Sequence, residues 1–155
     1  MTLFYEDIFS YFLGKQKDYK LISLPEEMAN ENMCEWLHAA ASKPYVRKLF
    51  KEFTMSDETT KIDAVLFQSI DDNFDSDFIV DILSLGMLVE WMRPKLNSTE
   101  NLEQMYGGKE EKFYSQSNHL AQLQSRNREI KNDQRKLIRS FGYDYDVISK
   151  RGEQK

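Results

Sequence analysis

Leu120, Leu123, Asn127, Ile130, Gln134, Leu137 and Phe141 recur at alternating steps of three and four, and this spacing constrains the chain more than any other feature. A 3-4 repeat puts every one of these residues on one face of an α-helix, so residues 115–141 are expected to form a long helix whose seam packs on another helix. Ser115 is the expected cap. Two seam positions, Asn127 and Gln134, are polar, which costs stability and favours one register or partner. The outer face carries Arg126, Arg128, Lys131, Arg135, Lys136 and Arg139. A basic helix can track phosphates. Here Glu129 and Asp133 interrupt the stripe and its middle lacks stacking aromatics, so a solvated face paired with acidic neighbours is the preferred reading.

The rest of the chain also reads as helix. Leu3, Phe4, Ile8, Phe9, Phe12 and Leu13 follow Thr2 at helical spacing, with Gly14 to close the segment. Ser23 and Glu26 form a capping-box pattern that opens a second helix over Met28, Met33, Trp36 and Leu37, stopping at Lys43 before Pro44. Pro44 opens a third, with Val46, Leu49, Phe50 and Phe53 inward and the basic Arg47, Lys48 and Lys51 outward. Residues 54–77 are strongly acidic, and residues 62–70 fit a helix (Ile62, Val65, Leu66) or an alternating strand (Ile62, Ala64, Leu66). Residues 78–92 are apolar around most of a helical circumference and make the central core helix, with Asp75 or Ser76 as cap and Pro94 as stop. Asn97-Ser98-Thr99-Glu100 opens a short helix over Leu102 and Met105 that ends at a Gly107-Gly108 hinge. Gly142 caps the last helix. The expected architecture is all-α: one helical bundle over residues 1–142 with a long C-terminal helix, and an extended tail over 143–155 that docks on a partner.

A chain of 155 residues suits one domain. One cysteine, Cys34, excludes an internal disulfide, and the N-terminus lacks the basic region of a secretory signal, so folding in a cytosol is expected. No run approaches the roughly 18 apolar residues of a membrane span, which argues against a membrane role. The net charge of −5 is unevenly placed: residues 112–155 carry ten Lys/Arg against five Asp/Glu, a net of +5, leaving −10 on residues 1–111. Such asymmetry attracts nucleic acid to the basic end or serves head-to-tail contact between copies.

Motifs for chemistry fail on their details. Asp71, Asn73 and Asp75 match the first ligands of a calcium loop, but Ser76 stands where the turn needs Gly and Ile82 where a bidentate Glu closes the site, so an acidic helix cap is expected. Cys34 and His38 share a helix face, yet zinc needs three or four ligands and the only other histidine is His119. Gly107-Gly108-Lys109 lacks phosphate-loop spacing. Asn97-Ser98-Thr99 fits a glycosylation sequon that requires secretion, and capping already accounts for it. No nucleophile elbow or paired-carboxylate spacing accompanies His119. No catalytic residue, metal ligand or cofactor-binding residue is therefore assigned.

Several stretches together carry a family resemblance: Glu35-Trp36-Leu37, Lys43-Pro44-Tyr45-Val46-Arg47, and Leu85-Gly86-Met87-Leu88-Val89-Glu90-Trp91-Met92-Arg93-Pro94-Lys95. They continue in Gly107-Gly108-Lys109-Glu110-Glu111-Lys112-Phe113-Tyr114-Ser115-Gln116-Ser117-Asn118-His119-Leu120 and in Arg135-Lys136-Leu137-Ile138-Arg139 before Gly142-Tyr143. Over residues 24–145 the chain resembles virion proteins of the neck, or head–tail connector (portal adaptor), of tailed bacteriophages. The resemblance implies a non-enzymatic helical adaptor without cofactor, made in the bacterial host cytoplasm and located in the virion neck. It also implies a homo-oligomeric, dodecameric ring that contacts the portal protein and other neck or tail proteins close to channel DNA. On this reading the interface comprises Phe113, Tyr114, Asn118, His119, Asn127, Arg128 and Lys131, then Gln134, Arg135, Tyr143, Tyr145, Val147 and Ile148. Residues 54–81 would meet the basic last helix of a neighbour. The alternative is a cytosolic helical regulatory or nucleic-acid-associated protein that uses its basic C-terminal helix.

Overall fold

The computed structural model describes residues 1–15, 26–105 and 110–152, with side chains omitted at 26, 98–117 and 119. Among these are three strands and five helices: β1 (Thr2–Phe4), α1 (Tyr5–Lys15), α2 (Glu26–Ala41), α3 (Pro44–Arg47), β2 (Phe50–Ser56), β3 (Lys61–Leu66), α4 (Asp72–Met105) and α5 (Glu110–Gly152). The chain is thus mostly helical but mixed, which corrects the all-α expectation.

The three strands form an antiparallel sheet in the order β1-β3-β2. In β3, Ile62, Ala64 and Leu66 are buried and Asp63 and Val65 exposed, the period-2 alternation of a half-buried strand. The ambiguous segment is thus a strand as far as Leu66, and residues 67–70 are neither helix nor strand. Leu49, Phe50 and Phe53 fit helical spacing after Val46, but α3 ends at Arg47, and Phe53 pairs with Ala64 and Met55 with Ile62 instead. A ladder to a strand with one buried face overrides local spacing. Leu3, likewise expected in a helix, pairs with Ile62. The β2–β3 turn places Thr60 at φ 52°, left-handed and costly for a β-branched side chain, and the Thr60 carbonyl accepts the backbone N–H of Tyr5 at 2.9 Å.

Helix α4 begins under tight local control. The Asp71 carboxylate accepts the Phe74 N–H at 2.8 Å, so the N-cap is Asp71, and the expected caps Asp75 and Ser76 lie inside the helix. Buried Asp75 reaches back to accept from the Ile70 N–H at 2.9 Å and the Ser69 hydroxyl at 2.6 Å. Two of the carboxylates that suggested a calcium loop are therefore engaged in capping. The helix continues through Pro94 rather than stopping there, and Asn97–Glu100 open no new helix. An interior Pro costs about 3 kcal/mol. Burial of Val89 and Met92 just before it offsets that, at about 1.5–3 kcal/mol for each side chain. The expected Gly107-Gly108 hinge and the Ser23 cap lie outside the described residues.

Helix α5 has 43 residues, about 65 Å at 1.5 Å per residue. It begins at Glu110, not at a Ser115 cap, and Gly142 does not end it. Residues 143–152 are helix, so the extended tail is a second correction. The seam also has a partner within the chain: Leu120, Ile130, Gln134 and Phe141 are buried, Leu123 and Leu137 partly so, and Phe141 stacks on Phe78 of α4 with centroids 4.0 Å apart. Around α4, whose Ile79, Ile82, Leu83 and Met87 are fully buried, pack α1 through Ile8 and Phe12 and α2 through Leu37 and Ala40.

At Gly86, α4 lies close against both α2 and α5. A Cβ there would lie 2.8 Å from the Ala40 Cβ and 3.3 Å from Gln134 Nε2, whereas at Gly142 it would meet only Gln68 Oε1 at 3.5 Å. Gly86→Ala is expected to destabilise by about 1–3 kcal/mol through overpacking. Gly142→Ala should stabilise by about 0.5–1 kcal/mol through lower backbone entropy. Urea unfolding of the two variants measures both signs.

Candidate functional site

Lys131, Arg135 and Arg139 lie four residues apart on α5 and form one continuous stripe. Asp133 does not interrupt it, because 100° per residue carries Asp133 to the opposite flank, beside Lys15 and Leu85. Facing the stripe are Arg93 from α4 and Lys43 and Lys48 from either side of α3. Together the six cations border a groove of about 530 Å³. Val89 and Ile138 make the apolar part of its floor and Gln134 a polar part, and Tyr45 stands at the rim, 41% exposed.

One carboxylate answers this charge. Glu90, nine-tenths buried, accepts from Lys43 Nζ at 2.9 Å and from Arg93 Nη2 at 3.1 Å. Lys48, Lys131, Arg135 and Arg139 have no ion pair among the described residues. Like charges four apart on a helix repel by about 0.2–0.5 kcal/mol per pair. Such a cluster costs stability alone and gains it when an anion enters. On the opposite flank of α5 a hollow of about 580 Å³ mixes Lys15, Arg126 and Lys136 with Asp133. There Lys15 is held by Asp81 at 3.0 Å and Ser84 at 3.2 Å, so that surface is nearer to balance.

The sequence-predicted interface residues fall into distinct settings. Lys131 and Arg135 line the groove; Asn118 and Arg128 are exposed elsewhere on α5. Gln134 is 2% exposed and donates from Nε2 to the Ile82 carbonyl at 2.8 Å, so it sets the register of α5 on α4 within the chain. Asn127 Oδ1 is buried with no hydrogen-bond partner among the described residues. Tyr143 and Ile148 are exposed and Tyr145 and Val147 half-buried on the last turns of α5. The side chains of Phe113, Tyr114 and His119 lie outside the described residues. Sequence reasoning missed Lys43, Arg93, Glu90 and Tyr45 as members of a site; they are up to 50 positions apart, and no local pattern joins them to α5.

The Cys34–His38 pair belongs to a different cluster. Asp57, in the β2–β3 turn, accepts the Tyr5 hydroxyl at 2.7 Å and pairs with His38 Nε2 at 2.8 Å. The Tyr5 hydrogen bond, then the His38 one, hold the Asp57 carboxyl below its ordinary value. Burial, then Asp57, push the Tyr5 hydroxyl up. Burial and the Asp57 charge also raise the Cys34 thiol, which keeps it protonated and a poor nucleophile. The cluster ties the hairpin turn to α1 and α2. Comparisons with protein families, curated proteins and solved structures find no match to this chain. No helix among the described residues is long and apolar enough to cross a membrane.

A carboxyl whose folded pKa is depressed contributes stability above its unfolded value, about 3.9, and loses it as pH falls through the folded value. The stability difference between wild type and Asp57→Ala is therefore expected to hold from neutral pH to about pH 5 and to narrow in stronger acid. Urea unfolding across that range measures it, and a difference that persists unchanged into acid contradicts a stabilising role for the Asp57 carboxylate contacts.

Proposed function

We propose that this chain is a non-enzymatic structural protein of a tailed-phage virion, a head–tail connector that forms a multi-copy ring at the portal. The observation that carries this reading is the end of α5. Past Phe141, the last residue of its buried seam, the helix continues to Gly152 and presents Tyr143, 69% exposed, and Ile148, 42% exposed. A preformed helix with unburied aromatic and aliphatic side chains docks at a lower entropic cost than a coil that must order on binding. The resemblance over residues 24–145 supplies the partner class, and the basic groove supplies a second contact surface on the same subunit.

The alternative reading, a cytosolic regulatory protein that binds nucleic acid through α5, is favoured by the four unpaired cations of the groove. A net charge of −5 opposes the approach of a polyanion, and an apolar floor adds nothing to phosphate recognition, so the connector reading is preferred.

On this reading the same genome encodes a portal protein, and co-expression with that portal protein tests the proposal. Full-length protein is expected to co-purify as a ring on the portal visible by negative-stain microscopy, and a chain ending at Gly142 to bind at least about tenfold more weakly. Undiminished binding removes the docking role of the α5 end. Failure of the full-length chain to bind, together with salt-sensitive duplex binding, supports the regulator.

A further inference from the structure

The groove beside Lys131, Arg135 and Arg139 occupies one flank of α5, and the surface on the other flank near the start of α4 has the opposite character. There Phe74, 48% exposed, and Asp77 border a shallow hollow of about 200 Å³ completed by Asp81 and Asp144. Asp71 and Asp72 are exposed next to it. Asp81 is answered by Lys15, while Asp72 and Asp77 have no ion pair among the described residues. One flank thus presents unpaired cations over an apolar floor, and the start of α4 on the other presents unpaired carboxylates around an exposed aromatic ring, with Lys136 farther along the same flank.

We propose that the basic groove receives the acidic edge around Phe74 of a second copy of this chain, so that copies join side by side, each giving its edge to one neighbour and its groove to the other. Asp72 and Arg93 are 21 positions apart on one helix, about 32 Å at 1.5 Å per residue, and α5 stands between the two surfaces. A single copy therefore does not satisfy both. Two different patches meeting make a heterologous contact, which closes into a ring when the rotation per copy permits. Insertion of Phe74 against Val89 and Ile138 uses the apolar floor, and Asp72 and Asp77 meet Lys131 and Arg135. This inference rests on the multi-copy assembly in the connector reading and names the contact that builds it.

The test uses full-length protein in analytical ultracentrifugation. The groove variant Lys131→Glu/Arg135→Glu and the edge variant Asp72→Lys/Asp77→Lys are each expected to weaken self-association by about tenfold or more, and salt to weaken the wild type. All four substituted residues are exposed, and circular dichroism checks that both variants fold. Mixing them brings the intact edge of one variant to the intact groove of the other, and the reversed groove to the reversed edge with charges exchanged, so the mixture is expected to regain the self-association that neither variant shows alone. Wild-type protein that stays monomeric at the highest attainable concentration, variants that associate as the wild type does, or a mixture that associates no better than either variant alone overturns the proposal. So does a groove variant that loses binding to a short DNA duplex while its self-association is unchanged, which assigns the groove to nucleic acid. Self-association through these surfaces without portal binding sinks the connector reading alone; portal rings formed equally well by both variants sink this contact alone.

Discussion

The absence of a side chain at Gly86 is the constraint on which the rest of the structure depends. There α4 comes so close to α2 and α5 that a methyl group would overlap the Ala40 side chain and press on the amide of Gln134. That amide in turn donates to the Ile82 carbonyl inside the core. A buried polar group without its partner is costly, so this hydrogen bond admits one register of α5 on α4 and penalises others. The small residues provide proximity, and the glutamine provides alignment.

Register decides which side chains of α5 face which flank. With Gln134 held against Ile82, Lys131, Arg135 and Arg139 turn toward Lys48 and Arg93, while Asp133, Lys136 and Leu137 turn toward Lys15. The charge segregation of the molecule follows from one packed contact rather than from long-range attraction. Glu90 limits its cost, because one nearly buried carboxylate serves both Lys43 and Arg93. The four cations left without a carboxylate are exposed, where screening keeps their mutual repulsion small until a partner excludes water.

Two misreadings of the sequence share a physical origin. Phe50 and Phe53 carry a spacing that suits a helix, and Pro94 carries a signal that ends one, yet the first pair sits in a strand and the second is passed through. In both cases the local preference is worth a few kcal/mol at most, and it was outweighed by contacts with residues distant in the chain, β3 for the first and the core around α4 for the second. The 3-4 seam shows the reverse limit. Its helix was legible from spacing, but spacing alone does not say whether the partner helix belongs to the same chain, and here it does, through Phe78 and its neighbours.

What the sequence determined by itself were the elements with a strong internal period or cap: the long last helix, the apolar core helix over residues 78–92 and the acidic cap before it. These depend on interactions within a few residues, which a linear reading contains. The sheet, the unbroken α4 and the groove were decided only in three dimensions. The groove draws Lys43, Lys48, Arg93 and the α5 stripe from separate parts of the chain, and their common position is a consequence of helix packing at Gly86 that no local pattern encodes.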